Sequence, residues 1–132
     1  MTLIPEERSA IVAYRIEKAN DTLKEAKAVG SLGYWSLAAN RLYYAAYYAS
    51  VALLIDRGIE ASTHKGAIRM IGFSFVKEGV LIPEDSQLLG RLFSMRQTGD
   101  YEDLFDWKEQ DVAPLIPKVE DYINRISLLI NP

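Results

Sequence analysis

The sequence contains two short clusters of arginine and tyrosine residues whose side chains could act on phosphate groups. In the first cluster, Arg41, Tyr44 and Tyr48 are spaced at i, i+3 and i+7, which places them on one side of a helix. A guanidinium group binds phosphate, and a tyrosine ring can stack on a nucleic-acid base. In the structural alternative, Arg41 pairs with a carboxylate at a helix–helix contact while the rings fill the core. The periodicity alone favours that alternative.

The second cluster is the segment from Arg96 to Tyr101. Here an arginine in the last turn of a predicted helix is followed by a break at Gly99 and then by Asp100 and Tyr101. Arg96 could satisfy the carbonyl groups at the C-terminus of its helix. It could also point, together with Tyr101, into a shared groove. The sequence pattern is compatible with both interpretations.

Most other catalytic and metal-binding classes lack the residues that they require. The sequence has no cysteine, and His64 is its only histidine, which excludes disulfides, thiolate sites and multi-histidine metal sites. No glycine-rich phosphate loop and no nucleophile elbow occurs. At a predicted helix start, His64 is expected at the surface or as a cap. Six of the eighteen acidic residues lie between Asp100 and Asp111, and a solvated loop explains them better than a calcium site. We expect no metal and no cofactor.

The composition predicts one folded domain over residues 1–132. Apolar residues make up 49% of the chain and charged residues 25%, with a formal net charge of −3. That charge does not indicate the basic face of a protein that coats duplex nucleic acid. The N-terminus lacks the pattern of a secretion signal, and no apolar run is long enough to span a bilayer. We therefore expect a cytoplasmic protein without a membrane segment.

Apolar residues recur at helical spacing along the chain, so the sequence predicts an all-α fold. Gly30 and Gly99 are predicted to end the first and fourth helices, and Pro114 and Pro117 make the start of the last helix late or kinked. The second helix is apolar enough to be central, with an alanine stripe at residues 38, 45, 49 and 52. The five predicted helices cover about residues 5–29, 34–56, 64–77, 83–97 and 107 or 111 to 130.

Four segments, in this order, resemble the HEPN family, named for higher eukaryotes and prokaryotes nucleotide-binding. They are Arg41-Leu-Tyr-Tyr-Ala-Ala-Tyr-Tyr-Ala49, Thr63-His-Lys-Gly66, Phe75-Val-Lys-Glu-Gly79 and Arg96-Gln-Thr-Gly-Asp-Tyr101. The resemblance covers nearly the whole chain. It implies an up-and-down antiparallel helical bundle that commonly dimerises. Many members of the family are RNA-cleaving toxins or defence nucleases, and many are partnered by a minimal nucleotidyltransferase.

The nuclease members of the family carry an R-x(4 to 6)-H motif. In that motif the arginine stabilises phosphate charge, and the histidine moves protons during metal-independent attack by the 2′-hydroxyl. The resemblance places the motif arginine at Arg96 and the histidine position at Tyr101. A tyrosine with a pKa of about 10 is a poor base at neutral pH, although it can donate a hydrogen bond or stack. Arg57 and His64 also fit the motif, but they lie between the second and third helices, and we interpret that match as accidental.

The leading functional hypothesis is a non-catalytic HEPN protein that acts as a homodimer. It would be the partner of a minimal nucleotidyltransferase in a toxin–antitoxin-like module. Its groove would bind nucleotide, RNA or the partner protein through Arg96, Asp100 and Tyr101, with Arg41 and Tyr44 in support. The acidic residues that follow Arg96 favour a protein or a small nucleotide over a long polyanion.

Two alternatives belong to other functional classes. One is a metal-independent ribonuclease toxin that uses Arg96 with Tyr101, or with His64 of the partner subunit. The other is a purely structural dimerisation bundle, in which the tyrosine-rich second helix and the apolar C-terminal face serve only to dimerise or to dock a partner. That face is formed by Ile123, Ile126, Leu129 and Ile130.

Overall fold

The described part of the computed structural model comprises the backbone of residues 3–101 and 106–130 and the side chains of residues 3–99 and 106–130. It confirms the predicted all-α fold, and these ranges contain no strand. None of the helices in them has both the length and the apolar character that a bilayer span requires. The helices are α1 (Pro5–Ser31), α2 (Trp35–Asp56), α3 (His64–Ile71) with a following π-helical turn (Gly72–Val76), α4 (Pro83–Tyr101), α5 (Glu109–Val112) and α6 (Leu115–Ile130).

Helix α2 is the centre of the bundle, as its apolar sequence predicts. It packs against α1, α4 and α6 and also contacts α3 and α5. The predicted alanine stripe is confirmed, because its four side chains at residues 38, 45, 49 and 52 are fully buried. Small side chains let neighbouring helices approach closely, so the larger tyrosines of α2 can occupy one remaining sector.

The turn between α1 and α2 differs from the prediction. Gly30 does not end α1, which continues to Ser31, and the turn is made by Gly33 with a φ of 85°. A Cβ atom at Gly30 would lie 3.0 Å from the ring of Trp35. Gly30 is therefore required for the close packing of an aromatic ring rather than for helix termination.

The predicted end of the fourth helix is also wrong. Helix α4 passes through Gly99 to Tyr101, so Arg96 lies within the helix and not in a turn before a break. A Cβ atom at Gly99 would lie 3.1 Å from Nε1 of Trp107, and the same Nε1 donates a hydrogen bond to the Met95 carbonyl at 3.2 Å. The glycine again accommodates a tryptophan ring from another segment.

The remaining boundaries follow from local geometry. The predicted third helix is α-helical only to Ile71 and then continues as the π-helical turn. Pro114 separates the short α5 from α6, so the last helix starts late. Pro117 lies in the first turn of α6, where a missing backbone N–H is tolerated.

The C-terminal apolar face is part of this chain's own core. Ile123 and Ile126 are fully buried, and Leu129 and Ile130 pack partly buried against the same core. This burial contradicts the expectation that the whole face is available to dock a partner. Leu128, which the prediction did not include, is the exposed apolar residue of this helix end.

Two buried polar contacts fix α6 to the rest of the bundle. The Asp85 carboxylate, 1% exposed, is paired with Arg125 of α6 and accepts a hydrogen bond from the Ile82 backbone N–H at 3.2 Å. The hydroxyls of Ser50 and Tyr122 are 2.6 Å apart in the interior. Both contacts satisfy groups that would otherwise be costly to bury.

Candidate functional site

The candidate site is built on four tyrosines of α2, which we call the tyrosine cluster: Tyr43, Tyr44, Tyr47 and Tyr48. Tyr43 is fully buried, and the other three are half-buried. The rings of Tyr43 and Tyr47, one helical turn apart, lie 5.9 Å from each other, and those of Tyr44 and Tyr48 lie 6.0 Å apart. Two aromatic rows therefore run side by side along one sector of the helix.

His64 packs directly onto this cluster from the start of α3. Its imidazole stacks on the Tyr47 ring at 4.2 Å between centroids and 2° between planes. Its Nδ1 is 2.5 Å from the Tyr43 hydroxyl. The backbone here is fixed by Thr63, whose Oγ1 accepts a hydrogen bond from the Gly66 N–H at 2.9 Å, as expected of an N-cap. The cap is thus Thr63, and His64 is a half-buried member of an aromatic stack rather than a simple surface residue.

Arg96 reaches the same rings from α4. Its Cζ lies 5.7 Å from the Tyr43 centroid and 5.4 Å from the Tyr44 centroid, within the range of cation–π attraction. Tyr43 therefore contacts both Arg96 and His64, which are far apart in the sequence. The fold brings together an arginine and the one histidine of the chain.

Arg41 pairs with a carboxylate at a helix–helix contact, as the structural alternative predicts. Its Nη1 lies 3.3 Å from the Glu25 carboxylate of α1, and its Cζ lies 5.3 Å from the Tyr44 centroid. Nε and Nη2 also donate to the side-chain oxygen of Asn40 at 3.1 and 2.8 Å. Arg41 thus holds α1 against α2 and covers one face of Tyr44.

Burial and nearby positive charge set the protonation of the site. Burial raises the pKa of Tyr43 and of Tyr47, although the charges of Arg96 and Arg15, respectively, oppose the rise. Burial also lowers the pKa of His64 below 6.5, and the charge of Arg96 lowers it further. At neutral pH the Tyr43 and Tyr47 phenols are therefore protonated and the His64 imidazole is neutral.

The backbone of Asp100 and Tyr101 forms the C-terminal end of helix α4. Their side chains lie outside the described part of the structure. Their assignment to a groove with Arg96 therefore stays a prediction. Arg57, from the second match to the motif, pairs with Asp56 and donates a hydrogen bond to the Leu129 carbonyl, so its side chain is bonded to the C-terminal end of α6.

The sequence pattern does not predict two features of this site. His64 was assigned to the surface because its contacts with Tyr43 and Tyr47 are tertiary. The sequence pattern also gives Arg15 of α1 no role, yet its positive charge opposes the rise in the pKa of Tyr47 that burial causes. The available signal was its place between Ile11 and Ala19 at spacings of four, which puts a charged residue on an apolar stripe of the helix.

The surroundings of the cluster differ in charge from one end to the other. A groove of about 400 Å³ between α1 and α2 begins at Tyr48 and Arg41. Its lining also contains Lys18 and the three carboxylates of Glu17, Asp21 and Glu25. Those carboxylates disfavour the binding of an anion in this groove.

Comparison with known proteins agrees with the geometry of a helical bundle. The sequence profile of the HEPN domain matches residues 12–129. A protein of Thermotoga maritima named "UPF0332 protein" is 34% identical over 124 residues, which cover 94% of each chain. Two proteins of Methanocaldococcus jannaschii are also similar. The one named "Putative toxin MJ0142" is 27% identical over 110 residues, which cover 83% of this chain and 75% of that protein. The one named "Putative toxin MJ0605" is 28% identical over 112 residues, which cover 85% of this chain and 83% of that protein. The profile covers most of the sequence, and the chain therefore belongs to the HEPN domain family.

Proposed function

We propose that this chain is the HEPN component of a toxin–antitoxin-like module, that it binds the phosphate of a nucleotide or of RNA at Arg96, and that its partner is a minimal nucleotidyltransferase. The observation that carries the proposal is the position of the Arg96 guanidinium over Tyr43 and Tyr44, beside a neutral imidazole. A cation next to half-buried aromatic rings provides both phosphate pairing and a surface for base stacking.

Binding at Arg96 is tested with matched arginine variants of α4. Arg96→Ala should weaken binding of AMP and of a short single-stranded RNA by about tenfold or more, because a charge-assisted hydrogen bond contributes about 1.5–3 kcal/mol. Arg91→Ala, an exposed arginine of the same helix, is the control and should change neither affinity. Titration calorimetry or fluorescence anisotropy measures both. Equal affinities for Arg96→Ala and the wild type would contradict the proposal.

The module itself is tested in cells. Two of the relatives are named "Putative toxin", which supports placing this chain on the toxic side of the pair. We further propose that it acts in the cytoplasm as a homodimer. Expression of the chain should slow growth, and co-expression of a minimal nucleotidyltransferase encoded beside it should restore growth. Light scattering on the purified protein measures the dimer. Normal growth together with a monomer in solution would count against this part of the proposal.

A second candidate function is metal-independent cleavage of RNA by Arg96 and His64. The observation that favours it is that His64 joins Arg96 at Tyr43 within one chain and has a lowered pKa. For this role Nδ1–H donates to the Tyr43 oxygen, which leaves the Nε2 lone pair to accept the 2′-hydroxyl proton. The 2′-oxygen then attacks phosphorus and expels the 5′-oxygen, which takes a proton from water, while the imidazolium returns its proton to the solvent. A 2′,3′-cyclic phosphate remains.

The two candidate functions predict different results when RNA is incubated with the protein in the presence of EDTA. If the chain is a nuclease, unmodified RNA is cut, and both His64→Gln and Arg96→Ala abolish cutting. If the chain only binds, the RNA stays intact while Arg96→Ala still weakens binding. His64→Gln in the nuclease case should leave the affinity for uncleavable 2′-O-methyl RNA nearly unchanged, because the imidazole then acts in the reaction and not in binding.

A further inference from the structure

The outer side of α3 and of the π-helical turn after it carries positive charge and an exposed aromatic ring. The inner side of this segment is buried at every fourth residue, at Ala67, Ile71 and Phe75. Residues two positions further along a helix lie about 200° around its axis, which is the opposite side. The four residues at that spacing are exposed, and we call them the basic face: Lys65, Arg69, Phe73 and Lys77.

The basic face combines cations with an apolar centre. The Lys77 ammonium lies 4.8 Å from the centroid of the Phe73 ring, and the Phe73 side chain is 61% exposed. None of the three cations forms an ion pair with another residue of the described ranges. Between His64 and Ile82 the sequence contains one carboxylate, that of Glu78. This segment is therefore locally basic in a chain whose net charge is −3.

Exposed apolar side chains continue beyond the π-helical turn. Val80 is 43% exposed and Ile82 is 45% exposed, in the connection that leads to α4. The Val80 backbone N–H donates a hydrogen bond to the Phe75 carbonyl at 2.8 Å, which holds this connection against the turn. Exposed apolar side chains beside Lys and Arg are typical of surfaces that bind lipid, because the apolar groups enter the headgroup region while the cations stay at its acidic groups.

We propose that the basic face, with Val80 and Ile82 beside it, binds the surface of a membrane that contains anionic lipids. Such a surface presents a uniform negative charge, which matches cations of one sign. A protein partner would need complementary groups and shape at each position, and RNA would leave Val80 and Ile82 without an apolar contact. The proposal does not depend on phosphate binding at Arg96.

Co-sedimentation of the whole chain with lipid vesicles tests this proposal. The protein should bind vesicles made of equal parts of phosphatidylglycerol and phosphatidylcholine, and it should not bind vesicles of phosphatidylcholine alone. Binding should weaken strongly at about 1 M salt, where the Debye length is about 3 Å. Absence of binding to the anionic vesicles at low salt would overturn the proposal.

Variants of the basic face separate the effect of its charges from that of its apolar centre. Arg69→Gln and Lys77→Gln should each lower the partition coefficient about fivefold, as expected for one cation at an anionic surface. Phe73→Ser should lower it about tenfold, whereas Phe73→Leu, which keeps an apolar side chain, should change it by less than about threefold. Lys24→Gln removes an exposed charge from α1 and is the control, which should leave vesicle binding unchanged.

Two soluble polyanions distinguish lipid from other acidic partners. Poly-L-glutamate represents an acidic protein, and a hexanucleotide with methylated 2′-oxygens represents RNA. If Arg69→Gln weakens binding of either polymer while vesicles stay unbound, the basic face binds that class of polymer and the proposal is wrong. The proposal is also wrong if vesicles bind the wild type and the variants of the basic face equally, because the lipid contact would then lie elsewhere on the molecule.

Discussion

The protonation of His64 depends on side chains from two other helices. Tyr43, Tyr44 and Tyr47 of α2 surround its ring, and Arg96 of α4 is the charged group that acts on it. Burial and a neighbouring cation both disfavour the protonated ring. The imidazole is therefore neutral over a wider pH range than that of a solvent-exposed histidine.

This lowered pKa predicts a pH dependence of stability. Above about pH 6.5 the imidazole is neutral in both the folded and the unfolded chain. As the pH falls, the unfolded chain takes up the proton first, so the free energy of unfolding decreases from about pH 6.5 downwards through the lower folded-state pKa. His64→Gln should remove this decrease. Denaturant unfolding of the wild type and of His64→Gln at several pH values measures this effect. The contributions of the carboxylates cancel in the difference between the two free energies of unfolding.

The cause of the shift can be measured on the same residue. Because His64 is the only histidine, its NMR titration is unambiguous. Arg96→Met should raise the pKa of His64 towards 6.5, since one of the two causes is removed, and Arg91→Met should leave it unchanged. A measured pKa of 6.5 or above for His64 in the wild-type protein would contradict both the predicted pH dependence of stability and the predicted effect of Arg96→Met.

At the scale of the helices, Gly99 and Gly90 provide a matched pair in α4. Replacing an exposed helical glycine with alanine stabilises a helix by about 0.5–1 kcal/mol. A Cβ atom at Gly90 meets nothing within 4 Å, so Gly90→Ala should show this gain. A Cβ atom at Gly99 would lie 3.1 Å from Nε1 of Trp107. Gly99→Ala should therefore not stabilise the protein and should displace the Trp107 indole.

Denaturant unfolding and the indole NMR signals measure the two effects. Gly99→Ala should shift the Nε1–H resonance of Trp107, because this group donates to the Met95 carbonyl. The signal of Trp35 should stay in place and is the internal control. Equal stabilisation by the two substitutions, with an unmoved Trp107 signal, would show that Trp107 does not require a glycine at that position.

The same helices show what the sequence could and could not predict. The all-α fold and the central α2 follow from the periodicity and composition of the chain, because burial of apolar faces is encoded locally. The ends at Gly30 and Gly99 were mispredicted because both glycines serve tertiary packing, which depends on tryptophans in other segments. The proximity of His64 to Arg96 could not be predicted for the same reason, because it requires the packing of α3 and α4 on α2.

At the scale of the whole molecule, the ion pair of Asp85 and Arg125 connects α4 to α6. The carboxylate is buried, whereas the arginine side chain is 38% exposed. Arg125→Met would leave the Asp85 carboxylate buried, with the Ile82 N–H as its remaining partner among the residues that the structure describes. We expect a loss of about 3 kcal/mol in the free energy of unfolding. Urea unfolding measures the loss.

Two further variants examine the cause of that loss. Lys118→Met, an exposed lysine of the same helix, should change stability by less than about 0.5 kcal/mol. Adding Asp85→Asn to Arg125→Met should restore part of the stability, because a neutral amide costs less to bury than an unpaired carboxylate. If the double variant is no more stable than Arg125→Met alone, the loss arises from packing of the arginine stem and not from the charge.

The residues of the candidate site come from α2, α3 and α4, beginning at Arg41 and ending at Arg96. None of these helices holds the arrangement alone. During translation, a ribosome-bound chain therefore carries no such site until α4 has emerged from the exit tunnel and packed on α2. The nascent chain therefore has no complete site until its fourth helix has been synthesised.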